Sequence, residues 1–143
     1  MIIDPKNGIA GLLFGMQTQQ VESILGAPDR QYRDEDENII YLYSAHKLRL
    51  TFYADEAFRL GYAITSNKQA TLLGHTVIGK PLDEILEVLP FKSWEREDFD
   101  SVTNHFNESN WLTLQSEYGE VIRVEIGAMI DEVTDAFLWR FKV

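Results

Sequence analysis

Histidine and carboxylate are the side chains from which this chain would most readily assemble a metal centre, because its 143 residues include three histidines, 23 acids and no cysteine. His46, His75 and His105 are scattered, without the close helical or loop spacing that metal ligands need. The run "DEDEN" sets Asp34, Asp36 and Asn38 at the alternate positions that open a calcium loop. It then places Ile39 where such loops turn on glycine, and Ala45 where they end on a bidentate glutamate. A solvated acidic turn is the expected role. No phosphate-cradling glycine loop and no nucleophile elbow occurs. The expectation is a protein that is not an enzyme and that holds no metal or cofactor.

Absence of cysteine also rules out disulfides, thiolate metal sites and a lipidated cysteine. No run approaches the roughly 18 apolar residues of a membrane span. The opening "MIIDPKNG" has none of the regions of an export signal, so a cytoplasmic location without membrane insertion is expected. The net charge of −10 is uneven. Residues 1–64 carry nine acids against six bases, and residues 95–135 carry eleven acids against Arg96 and Arg123. Such a field repels phosphate backbones and attracts cationic partners. Nucleic acid is not an expected ligand; a basic protein is. Solubility alone would account for the charge equally well.

The elements that must position these residues come twice. "GMQTQQVESILGAPD" at 15–29 is answered 64 residues later by "GKPLDEILEVLPFKS". At that offset Gly15 maps to Gly79, Val21 to Ile85, Ile24 to Val88, Leu25 to Leu89, Leu48 to Leu112 and Leu50 to Leu114. Phe58, Leu60 and Tyr62 then fall on Ile122, Val124 and Ile126, with Arg59 on Arg123. Val21, Ile24 and Leu25 have the spacing of a helix stripe, with Thr18 as its cap and "GAP" as its stop. Pro81, Asp83 and Glu84 suit the first turn of the second helix. Alternating runs predict strands at 39–43, 47–54 and 58–64, then at 102–107, 111–117 and 121–127. Short runs at "LLFG" and "TVIG" are further candidates for pairing. The predicted fold is α+β: one domain over 1–143, with tandem αβββ repeats at about 11–65 and 75–129. They would form a meandering antiparallel sheet with both helices on one face, and a final strand would run over about 136–143.

The stretch "GMQTQQVESILGAPD" followed by "IIYLYSAHKLRLTFYADEAFRLGYAI" resembles the BamE (SmpA/OmlA-like) lipoprotein repeat. Two such units in tandem are similar in architecture to the β-lactamase inhibitory proteins. The resemblance implies a fold that binds proteins through its sheet and supplies no catalytic residues.

If Leu48, Leu50, Leu112 and Leu114 face the helices, their strand neighbours face away. The expected outward set is Tyr41, Tyr43, Arg49, Tyr53 and Arg59 in the first unit, and His105, Trp111, Thr113, Gln115 and Arg123 in the second. Tyrosine, tryptophan and arginine are the types enriched at binding hot spots. Asp34 and Asp36 map to Asp98 and Asp100, so acidic loops are expected to flank that face. The expected function is a non-catalytic protein-binding module, an inhibitor or immunity-type protein that neutralises a cationic protein such as a toxin. A BamE-type envelope-assembly factor and a small-ligand-binding domain are the alternatives, and a homo-oligomer is left open.

Overall fold

The structure is a computed structural model and describes residues 1–142. Two helices and two mostly antiparallel sheets make a mixed α+β fold. Five short strands form the smaller sheet: β1 (Ile2–Asp4), β2 (Gly8–Ile9), β3 (Leu12–Leu13), β8 (Thr71–Leu72) and β9 (His75–Thr76). They run in the order β3-β2-β1-β8-β9, and only β1 and β8 pair in parallel. Two tight turns close its hairpins, at Ala10–Gly11 and Leu73–Gly74, and all four residues have positive φ (56° and 81°, then 50° and 83°). Turns of that hand match the twist of the paired strands.

Helix α1 (Thr18–Leu25) precedes β4 (Arg30–Arg33), β5 (Ile39–Tyr43), β6 (Leu48–Tyr53) and β7 (Arg59–Thr65). Helix α2 (Leu82–Val88) precedes β10 (Trp94–Phe99), β11 (Val102–Asn107), β12 (Leu112–Glu117) and β13 (Glu120–Gly127). These eight strands form one antiparallel sheet, ordered β10-β11-β12-β13-β7-β6-β5-β4, so the last strand of each series meets the other at the centre. Each helix is therefore followed by four strands rather than the expected three. The additional β4 and β10 are edge strands of mostly exposed polar residues, with no apolar alternation to announce them.

The two series share local detail. A bulge falls between Thr51 and Phe52 in one and between Gln115 and Ser116 in the other. Gly15 N–H donates to Leu60 O (2.9 Å), and Gly79 N–H to Val121 O (2.7 Å), tying each chain entry to the last strand. Leu60 therefore corresponds to Val121, not to Val124. A longer turn at Ala54–Glu56 in the first series removes three residues from the offset over the final strand.

The core lies between the sheets and under the helices, joining Ile3, Leu12, Phe14 and Leu72 to Leu50, Phe52, Leu112 and Leu114. Val21 and Ile85 anchor the helices in it. Ile24 and Val88, expected in the stripe, are 48% and 47% exposed. Each helix is about two turns long and buries few residues, Val21 in the first and Leu82 and Ile85 in the second. Gln17, not Thr18, caps α1: its N–H donates to Gln20 Oε1 (2.8 Å), and its side-chain amide reaches Ala57 O (2.8 Å).

Among the described residues the tail forms no terminal strand, and Val143, the expected end of that strand, lies outside them. Phe137, Trp139 and Phe141 do pack half-buried against the core. Their backbone, however, meets Phe14 O (from Arg140 and Phe141) and Met129 O (from Leu138). Strands β7 and β13 lie at the centre of the sheet with a neighbour on each side, and its free edges are β4 and β10.

A candidate docking face on the large sheet

Residues directly opposite in an antiparallel sheet project from the same face. One such row crosses all eight strands: Arg30, Leu42, Arg49, Ile64, Glu125, Thr113, Phe106 and Glu95. It faces away from the helices, because Leu50, Ala63, Val124 and Leu114 occupy the alternate positions and are buried. The row is polarised, with arginines over β4 and β6 and carboxylates over β13 and β10.

Of the expected outward residues, Arg49, Thr113, Gln115 and Arg123 are on this face, and Arg123 donates to Gln115 Oε1 (2.9 Å). Gln115 in turn donates to Asn104 Oδ1 (3.0 Å), so a hydrogen-bonded ladder orients the guanidinium. Tyr53 and Trp111 lie over the two glycines of this side, Gly61 and Gly127. Trp111 also meets Phe106 edge-on at 5.2 Å between ring centroids, and is held in a left-handed backbone conformation (φ 46°). Arg59, opposite Tyr53 on the same face, lays its guanidinium over the Trp139 ring of the tail, 5.8 Å from its centroid.

Tyr41 and Tyr43 are on the opposite face, a correction that follows from register. Tyr41 pairs with Leu50 and Tyr43 with Leu48, which places both rings under α1. They are 3% and 4% exposed, and their hydroxyls reach Glu22 Oε2 and Gly26 O, each at 2.8 Å. Burial, with the nearby Tyr41, Glu22 and Asp29, pushes the Tyr43 phenol up to about 12. His105 shares that helix side, since it pairs with Leu114. Its Nδ1 is buried without a hydrogen-bond partner. Burial and the Arg96 charge hold its pKa below the usual value, against the opposing pull of Asp98 and Asp83.

The acidic loops do not flank one site. They close the outermost hairpins, and seven strand spacings put roughly 34 Å between those edges. Asp34 is used by its own turn, accepting from the N–H of Asp36 (3.0 Å) and Asn38 (3.0 Å) and from the Asn38 amide (3.2 Å). Desolvation opposes its ionisation, but those bonds and the Arg49 charge prevail and lower its pKa. Asp36 is exposed on the same turn. Asp98 accepts from Thr103 Oγ1 (2.9 Å) and Arg96 Nε (3.2 Å), and Asp100 sits at positive φ (51°) in the β10–β11 turn.

Two cavities on the β10–β13 side were not foreseen. One, of about 500 Å³, has Tyr62 and Phe106 in its wall beside Glu95, Glu97 and Glu125. The other, of about 730 Å³, has Trp111 and Met129 beside Glu95, Glu108, Glu132 and Asp135. Arg96 borders the first and Lys92 the second, so six carboxylates line the two cavities against two cations. Glu125 also accepts from Tyr62 Oη at 2.5 Å, and burial together with that bond drives the Tyr62 phenol far up. The repeat offset could not reveal this cluster, because it depends on the pairing of β10, an unpredicted strand.

The class defined so far is a two-sheet α+β domain with a polarised open sheet face. No family model and no curated protein matches the chain. Among solved structures it is similar to an extracellular protein containing a SCP domain from Bacillus anthracis, with a TM-score of 0.56 and 10% identity over 99% of this chain and 53% of that one. It is also similar to a cysteine-rich secretory protein from Staphylococcus aureus, with a TM-score of 0.52 and 14% identity over 85% of this chain and 46% of that one. The chain spans about half the length of each, and the likeness is one of fold.

These findings overturn the resemblance to BamE repeats and to β-lactamase inhibitory proteins. The glycine–helix–"LGAP" signature and alternating strands describe generic helix punctuation and sheet packing, which other folds share. The cytoplasmic location and the immunity-type description are corrected on the same ground, since both neighbours in fold are described as extracellular or secretory.

Proposed function

We propose that this is a non-catalytic protein-binding domain whose large sheet docks a basic partner on its β10–β13 side. The observation that carries the reading is the six carboxylates lining the two cavities, one walled by Phe106 and the other by Trp111, whose half-buried rings meet edge-on. An arginine or lysine entering there would meet an aromatic surface and a carboxylate together, and each attracts a cation. The scaffold is one domain built by duplication of a hairpin–helix–four-strand unit. The matched bulges, glycine ties and hairpin turns support that origin.

Titration of isotope-labelled protein with an arginine-rich peptide tests the docking face. Amide shifts should centre on Glu95, Glu97, Phe106 and Trp111, and Glu95→Lys with Glu97→Lys should abolish them. Shifts confined to the β4–β6 side, or unchanged by the lysine pair, would overturn the reading.

A further inference from the structure

The other half of the same face has the opposite character. A cleft of about 420 Å³, where the β5–β6 turn meets β7 and β13, brings together Lys47, Arg49 and Arg123 with the hydroxyl residues Ser44 and Ser66. In a chain of net charge −10, that convergence runs against the composition. Among the described residues, none of the three cations has a carboxylate within 4.0 Å; the ion pairs are Arg33–Glu37 and Arg96–Asp98. Glu125 also borders the cleft, but one of its oxygens already accepts from Tyr62. The Arg123 guanidinium is held from behind by the Gln115–Asn104 ladder, so its orientation does not depend on a ligand. An oriented guanidinium presents paired donors that fit the two oxygens of a carboxylate.

We propose that this cleft is a binding site for an organic carboxylate carrying a short aliphatic group. The aliphatic part is assigned from Leu42 and Ile64, which line the same cleft half-buried beside the cations. A fully hydrated inorganic anion has no use for that surface, whereas a leucine-like side chain next to its own carboxylate covers both. The strongly negative molecule repels anions at long range, so occupancy depends on these local contacts and not on charge steering.

The site adjoins the acidic half through Glu125, which borders both, but its test shares no residue with that one. N-acetyl-leucine, N-acetyl-leucinamide and inorganic phosphate are titrated separately against the labelled protein. The acid should shift Arg49, Ile64 and Arg123, while the amide and phosphate should bind at least tenfold more weakly. Arg49→Ala with Arg123→Ala should weaken the acid at least tenfold with the amide spectrum otherwise native, and Arg33→Ala should change nothing. A peptide ending in leucine that binds more tightly than N-acetyl-leucine identifies a chain terminus as the source, and equal binding identifies a free acid. No shift with the acid, equal binding of the amide or of phosphate, or full affinity in the double variant each overturns the assignment.

Discussion

The ring of Trp111 occupies the space that a side chain at Gly127 would need, and Tyr53 does the same at Gly61. Both contacts are on the outward side of the sheet, one in each series of strands.

Gly61→Ala and Gly127→Ala should therefore each destabilise the fold by about 1–3 kcal/mol, the usual cost of overpacking a site that cannot open freely. Urea denaturation measures it. A neutral result at Gly127 would mean that the Trp111 ring swings away without loss.

Leu50→Ala and Leu114→Ala should each cost about 2–5 kcal/mol, since both side chains are fully buried in the shared core. Ile24→Ala and Val88→Ala, on the open sides of the helices, should each cost less than about 1 kcal/mol. Thermal melts of the four variants should separate into these two groups.

Tyr41, Tyr43, Tyr53 and Tyr62 all have phenols raised above the ordinary value of 10, chiefly by burial. The unfolded chain ionises these groups near pH 10, and the folded chain holds the protons to higher pH. Their stabilising contribution is complete below pH 10 and is lost as pH rises through about 12 at Tyr43 and beyond it at Tyr62. Phenolate absorbance should accordingly appear in step with unfolding on the alkaline side.

His105 acts at the other end of the scale. Its unfolded imidazole takes up a proton near pH 6.5, and the folded one only at lower pH. Between those values the unfolded chain binds more protons, so stability should fall as pH drops below 6.5 and then level off. His105→Gln should remove that portion of the slope, read as denaturation midpoints across pH 5–7.5.

Periodicity made much of the sheet legible. Strands β5 and β11 match the predicted bounds, and the other four predicted strands begin or end within one residue of theirs, because alternation is strong wherever one face is buried. It failed at β4 and β10, where both faces are largely wet and no alternation is required. The facing of Tyr41, Tyr43 and His105 was lost for a different reason. Adjacent Ile40 and Tyr41 are both buried, so residue type could not say which belonged to the helix side, and register alone decided it. The acidic cluster inherited the same blindness, since Glu95 and Glu97 reach the face only by pairing with Phe106 and Asn104.

The eight-stranded sheet ends in two uncovered strands, and their composition bears on how the molecule avoids its own kind. An open edge offers unpaired N–H and C=O groups to any passing chain. Here β10 reads Trp-Glu-Arg-Glu-Asp-Phe and β4 reads Arg-Gln-Tyr-Arg, with every residue but Trp94 exposed. A strand added at β10 would set its side chains against four consecutive charges, Glu95 to Asp98, and one added at β4 would meet an arginine at each end. Both edges are thereby kept from templating fibrils, while the wide polarised face between them stays open to a ligand.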